Sequence, residues 1–278
     1  MKPRTSDDQR RRDQRPFKKQ DHKVEEPSVG KNLLYGVLPV LEALRANARN
    51  IDKILMADGV REGRLHEIVE SARDKGVLVN RVSRDQLVKL AGPGANHQGV
   101  IAFIASRSYA EADAIIAAAA NDGLIVLLDG VEDPQNLGAV LRAAECAGAT
   151  GVIIPERRAV GLTETVAKSS AGAIEYVKVA KVANLNRLIE ELKERNIWVV
   201  GTSGDARTDY TEWDWTRPTA VVLGGEGKGL HRLVAENCDM LVKIPMYGKI
   251  ESLNVSNAAS VILFEARRQR VIAASGKR

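Results

Sequence analysis

Residues 221–260, VVLGGEGKGLHRLVAENCDMLVKIPMYGKIESLNVSNAAS, decide how the whole chain is read. The run Thr219 to Leu223, β-branched and leucine-rich, ends in Gly224-Gly225-Glu226-Gly227-Lys228-Gly229. A second apolar run, Met240 to Ile244, ends in Pro245-Met246-Tyr247-Gly248. Such runs closed by glycine predict two strands, each feeding a glycine-containing loop. Ser252-Leu253-Asn254-Val255-Ser256-Asn257-Ala258-Ala259 then starts polar and becomes small and apolar, which predicts a ligand loop entering a tightly packed helix.

Working back from this stretch, the same alternation is found upstream. Strands are predicted at Leu124 to Leu128, Gly151 to Ile154, Tyr176 to Val179 and Ile197 to Gly201, with helices at Leu137 to Ala147, Leu162 to Ser169 and Ala183 to Arg195. Leu185, Leu188, Ile189 and Leu192 fall on one helical face, as a layer covering a sheet requires. A helix over Leu230 to Glu236 and a closing helix from Val255 to about Ala273 complete the series. Alternating elements of this length predict a largely parallel sheet covered on both sides. No sequence repeat of fixed period accompanies them, which argues against a solenoid.

The amino-terminal part reads differently. Residues 1–28 carry nine Lys or Arg and six Asp or Glu, with only Met1, Phe17 and Val24 as substantial apolar residues, so a disordered charged arm is expected. Residues 29–106 give a small α/β domain. Its helices are expected from Gly36, over Arg64 to Lys75 and over Arg84 to Leu90, and its strands at Ile51 to Ala57, Val77 to Val79 and Val100 to Ala105. Arg45, Arg61 and Arg64 belong to a set of basic residues here that forms either a phosphate-contacting face or ordinary solvated helix ends. His97 and Gln98, after the turn Gly92-Pro93-Gly94-Ala95-Asn96, either contact an RNA base or serve the structure of the turn and the orientation of the next domain. Residues 107–122 combine a polar stretch with an alanine-rich helix and are expected to be the linker to a domain spanning 123–278.

Composition narrows the function. A chain of 278 residues can bury roughly three quarters of its unfolded surface, so a real core is expected. The net charge of +5 favours a polyanionic partner. Two cysteines, Cys146 and Cys238, make neither a disulfide framework nor a cysteine metal site, and no apolar stretch approaches membrane-spanning length. A cytoplasmic, reducing setting is therefore expected, with no membrane and no metal.

The glycines match neither a dinucleotide fingerprint nor a Walker loop. Taken together, however, DPQNLGAVLRAAECAG at 133–148, LGGEGKGL at 223–230 and IPMYGKIESLNVSNAAS at 244–260 resemble the three signature regions of the SpoU (TrmH-like) family of RNA ribose 2'-O-methyltransferases. The likeness covers about 123–270, and the small domain with its Asn96-His97-Gln98-Gly99 ending resembles the RNA-binding domain of the branch acting on 23S ribosomal RNA guanosine. Transfer RNA or an adenosine as substrate, and a noncatalytic RNA-binding protein, are the alternatives.

The resemblance implies a SPOUT-type domain with a deep trefoil knot, a homodimer, and S-adenosyl-L-methionine as methyl donor. Periodicity alone predicts only an open sheet, knots being rare. By motif position the catalytic set is Arg142, Asn136, Glu226, Ser252 and Asn254. Arg142 faces the 2'-hydroxyl or an adjacent phosphate, Asn136 orients Arg142 or the substrate, Glu226 fixes the loop and catalytic side chains, and Ser252 and Asn254 meet the cofactor side or the substrate hydroxyl. A protonated guanidinium cannot itself be a base, so either phosphate-assisted activation or a deprotonated arginine is needed. The cofactor is expected to be held mostly by backbone groups of Thr202, Ser203, Gly204, Leu223, Gly224, Gly225, Ile244, Met246 and Leu253, with apolar side chains around the adenine, and Lys249 faces either RNA or solvent. Asn257 departs from the small or apolar residue common at its position.

Overall fold

The structure, a computed structural model, describes residues 31–59, 63–227 and 229–276, so the charged arm, Arg61 and Lys228 lie outside the described residues, as does the side chain of Arg64. The amino-terminal unit comprises β1 (Lys31–Tyr35), α1 (Val37–Ala46), β2 (Ile51–Ala57), α2 (Gly63–Asp74), β3 (Leu78–Val82), α3 (Arg84–Ala91) and β4 (Val100–Ala105). Its four strands lie in the order β1-β4-β2-β3, with β4 antiparallel to both neighbours and β2 parallel to β3. A reciprocal capping box starts α3, with Ser83 Oγ taking the Gln86 amide and Gln86 Oε1 taking the Ser83 amide.

The second unit runs through α4 (Ala112–Ala119), β5 (Leu124–Asp129), α5 (Pro134–Cys146), β6 (Gly151–Pro155), α6 (Glu164–Ser169), a 3-10 turn (Ala173–Glu175), β7 (Val179–Val182) and α7 (Leu185–Glu194). It continues with β8 (Trp198–Thr202), β9 (Thr208–Asp209), β10 (Thr219–Gly224), α8 (Arg232–Asn237), β11 (Met240–Lys243) and α9 (Val255–Ser275). The seven strands pair in the order β7-β6-β5-β10-β8-β11-β9, every pair parallel. Alternate residues of β5 serve opposite layers. Leu124, Val126 and Leu128 pack with α5 and α9, whereas Ile125 and Leu127 pack with α4 and α7. That two-sided burial is why the strand reads as an uninterrupted apolar run.

Several boundaries differ from the sequence expectation. β1 was not anticipated, because five residues beside a charged arm carry too short a pattern. The expected strand at Tyr176 begins at Val179, since the 3-10 turn consumes the residues before it. The supposed linker at 107–122 is packed structure: Ala110 bridges Ala180, and Ile115, Ile116 and Ala119 of α4 enter the core. Two isoleucines in an alanine run gave a weak amphipathic signal, yet they suffice because Gly123 turns the chain hard against Ala119, where a Cβ would meet Cα at 2.2 Å. Among the described residues no helix is long and apolar enough to cross a membrane.

Candidate active site

At the carboxyl edge of the parallel sheet, the ends of β5 and β10 stand side by side, and Gly225 N donates to Asp129 O at 2.8 Å. A Cβ on Gly225 would lie 2.2 Å from Gly130 O, and one on Gly224 would lie 2.1 Å from the Gly229 carbonyl carbon. Only glycine lets these two loops close on each other. Beside them α5 begins with Asp133 capping the Gln135 amide at 2.7 Å and Pro134 in its first turn.

The three motif residues meet at this junction although 90 and 118 positions separate Asn136 from Glu226 and Asn254. Asn136 Nδ2 donates to Glu226 Oε1 at 2.7 Å, and Asn254 Nδ2 donates to Asn136 Oδ1 at 3.0 Å and to the same Glu226 oxygen at 2.7 Å. Asn254 also caps α9, its Oδ1 accepting from Ser256 N at 2.9 Å and from Ser256 Oγ at 2.6 Å. One carboxylate oxygen therefore ties together the starts of α5 and α9 and the loop after β10.

A cavity of about 570 Å³ opens on this junction and is lined by Asp129, Gly130, Val131, Glu132, Asp133, Asn136, Arg158, Gly225, Glu226, Gly229, His231 and Val255. Asp129, Glu132, Asp133 and Glu226 line it together with Arg158 and His231, a charge balance that suits a cationic or hydroxyl-bearing ligand. His231 and Arg158 were not anticipated from the sequence. Asp129 is buried and holds His231 twice, Oδ2 accepting its backbone N–H at 2.7 Å and Oδ1 lying 2.8 Å from Nδ1. The strand-end position of Asp129 was a usable signal. His231, 102 residues away, carried none.

Next to the cavity, the β10–β8 ladder stops at Val222↔Gly201 whereas the β10–β5 ladder continues to Gly224↔Asp129. From Leu223 onward the backbone edge toward β8 thus has no strand partner in that ladder. Thr202, Ser203 and Gly204 lie at the end of β8, and Ile244 and Met246 follow β11, so the expected cofactor residues gather at adjacent strand ends. Gly204 is open, with nothing within 4 Å of an added Cβ. Ile244 and Met246 are half-buried, and Leu253 is exposed. The Leu223 side chain belongs to the core, which leaves its backbone for a ligand, the kind of contact expected of it. This set combines open backbone with an apolar rim and lies beside a negatively charged cavity, and it fits a flat purine and a cationic centre.

Arg142 is exposed on α5 and does not line the cavity. Six residues turn a helix by about 600°, which sets Arg142 about 120° away from Asn136. Within one chain Asn136 therefore does not reach Arg142, which leaves its other expected role, orienting the substrate. Ser252 is exposed and outside the cavity, and Lys249 is exposed on the loop before it.

In the small unit, His97 and Gln98 serve the turn, the structural one of the two alternatives. His97 is buried, its Nδ1 accepts the Gly99 N–H at 3.1 Å, and burial, then Arg84, hold its pKa below the usual histidine value. Gln98 Oε1 accepts the Val37 N–H at 2.9 Å, serving the first turn of α1. Both residues close the turn before β4. Arg45 is paired with Glu42 at 2.7 Å and with Glu67.

An all-parallel sheet with loops crowded at its carboxyl edge, polar motif residues joined there, and a separate α/β unit in front define a two-unit transferase-like architecture. Residues 123–264 match the model of the SpoU rRNA Methylase family, and residues 33–110 match that of RNA 2'-O ribose methyltransferase substrate binding. The chain belongs to the SpoU/TrmH family. It is 45% identical over 245 residues to YacO of Bacillus subtilis, named as a TrmH family tRNA/rRNA methyltransferase, covering 87% of this chain and 95% of that one. Among solved structures, the SpoU methyltransferase AviRb from Streptomyces viridochromogenes in complex with the cofactor AdoMet is 27% identical with a TM-score of 0.72, covering 87% of this chain and 92% of AviRb. The A. aeolicus TrmH/SpoU tRNA modifying enzyme is 30% identical with a TM-score of 0.51, covering 59% of this chain and 84% of its own.

Proposed function

We propose that this chain transfers a methyl group from S-adenosylmethionine to a ribose 2'-hydroxyl in RNA, and that its target is a guanosine of 23S ribosomal RNA. The observation that carries the reading is the junction of Asn136, Glu226 and Asn254 beside the open strand ends, in a chain matched along both units. A ribosomal target is favoured because the tRNA modifying enzyme has counterparts for only 59% of this chain, whereas the AdoMet-bound rRNA methyltransferase from Sinorhizobium meliloti, 25% identical, covers 86% of it. The guanosine follows the likeness of the small domain to the ribosomal branch.

S-adenosylmethionine, when bound, supplies an electrophilic methyl group, so the chain's task is alignment and removal of one proton. Leu223, Gly224 and Gly225 offer backbone at the edge between β10 and β8, and Ile244 and Met246 offer the apolar wall. Glu226, fixed by two amides, holds the loop in place, and Asn136 retains one amide hydrogen for the ribose. Arg142 stands on the outer side of α5, the helix packed against α9, whose Phe264, Val271 and Ile272 are exposed. A homodimer built on that face would carry Arg142 toward a neighbouring site, where a substrate phosphate beside the guanidinium assists loss of the hydroxyl proton. A trefoil knot is proposed as well: β10 inserts between β5 and β8, and the chain leaving β11 returns to Asn136 before starting α9.

The test incubates purified protein and S-adenosylmethionine with ribosomal and transfer RNA and maps 2'-O-methylation by nucleotide. One methylated guanosine in 23S RNA, lost in a folded Arg142→Ala variant, is expected. Methylation confined to transfer RNA overturns the target, and transfer to neither RNA overturns the activity.

A further inference from the structure

A second cavity, of about 430 Å³, lies between the two units, where the chain leaves β4 and where β7 begins. Arg49, Arg107 and Lys178 line it. The carboxylate that meets the two arginines is Glu175, whose side chain is 1% exposed. Arg49 takes most of that carboxylate, with Nε on Oε2 at 3.0 Å and Nη2 on Oε1, and gives Nη1 to Ala105 O at 3.3 Å. Arg107 is left with a 3.4 Å contact from Nη1 to Glu175 and a 3.0 Å bond from Nη2 to Val177 O. Its Nε is buried and has no partner among the described residues. Two guanidiniums thus share one carboxylate, Lys178 stands on the same cleft, and none of the residues lining it is acidic.

We propose that this interdomain cleft binds a phosphodiester of the RNA substrate, with Arg107 and Lys178 as its contacts and Arg49 with Glu175 as the frame that holds Arg107. Arg107 Nη1 and Nη2 each carry a second N–H beside the one given to Glu175 or to Val177 O, and a phosphate in the cleft supplies acceptors for these and for the Lys178 ammonium. The cleft lies at the amino end of β7, two strands across and three residues back from Asp129, on the order of 15 Å from the first cavity. The phosphate bound there belongs to a nucleotide distant from the reacting ribose, so the cleft contributes to RNA affinity and register.

This inference rests on the reading of the chain as an RNA methyltransferase, and the experiment separates the two. RNA binding by the full chain is measured across a salt series for wild type, Lys178→Gln, Arg107→Gln and the exposed control Arg187→Gln, while wild-type methyl transfer is followed on the same RNA. Loss of one phosphate contact makes the slope of log Kobs against log salt shallower by about 0.7–0.9. That change is expected for Lys178→Gln and Arg107→Gln and not for Arg187→Gln. Lys178 is exposed on the surface, so its variant tests the site even where Arg107→Gln disturbs the fold. Unchanged slopes in both variants, or an equal change in Arg187→Gln, overturn the cleft while observed transfer leaves the enzymatic reading intact. Absent transfer overturns that reading whatever the slopes show.

Discussion

Asn254 uses its whole amide. Its oxygen caps α9 through the backbone and hydroxyl of Ser256, and its nitrogen reaches both Asn136 and Glu226. Removing a cap costs about 1 kcal/mol, and a hydrogen bond to a charged group contributes about 1.5–3 kcal/mol when it is sheltered. Because Glu226 is exposed, Asn254→Ala is expected to lose roughly 1–3 kcal/mol in urea unfolding. Glu226→Gln retains an oxygen able to accept both amides and is expected to lose less than about 1 kcal/mol, yet methyl transfer should fall because the cavity loses a carboxylate. Equal unfolding midpoints for the two variants would show that the junction does not depend on Asn254. The sequence pointed to all three members of this junction through their motifs. It could not show that they share one oxygen, because hydrogen-bond partners 90 or more residues apart leave no local periodicity.

At the scale of elements, the glycines after β8 and β10 separate into two kinds. Gly225 touches the Gly130 backbone so closely that any Cβ must move a strand end, whereas Gly204 has open space around it. Gly225→Ala is expected to destabilise the fold by roughly 1–3 kcal/mol or more, as overpacking does. Gly204→Ala should leave the melting temperature of the free protein unchanged and, on the proposed placement of the cofactor, weaken S-adenosylmethionine binding read by calorimetry. Normal cofactor affinity in Gly204→Ala would remove this residue from the proposed wall. Strand existence was readable because β5, β6 and β10 are buried on both faces and their apolar runs end in turn residues. α4 was misread as part of a linker because two isoleucines are too few to mark a face before the sheet they cover is known.

Over the whole molecule, the contacts that join the two units are polar as well as apolar. Arg49 reaches Glu175 across the boundary, and Tyr176 donates to Glu42 at 2.6 Å; burial, then Glu42, push the Tyr176 pKa up to about 12. The Arg49 and Glu175 side chains are 9% and 1% exposed, so deleting one strands the other in a poorly hydrated place. Arg49→Ala is expected to lower stability by about 3 kcal/mol, at the low end of the 3–5 kcal/mol range because Arg107 remains near the carboxylate. Denaturant unfolding followed by probes in each unit checks it. An unchanged midpoint would mean that the apolar contacts alone dock the units.

By itself the sequence determined the two-unit α/β organisation and most strand positions in the second unit, through periodicity and turn chemistry that act along the chain. Asn136, Glu226 and Asn254 were singled out, within a set of five, by resemblance to the SpoU family's motifs. Tertiary structure alone decided the strand order that brings β10 beside β5, the pairing of Asp129 with His231, the burial of His97, and the outward position of Arg142. Each of these depends on which distant segments share a neighbourhood, and that is settled by how the sheet buries its two faces and satisfies its backbone, not by any local pattern.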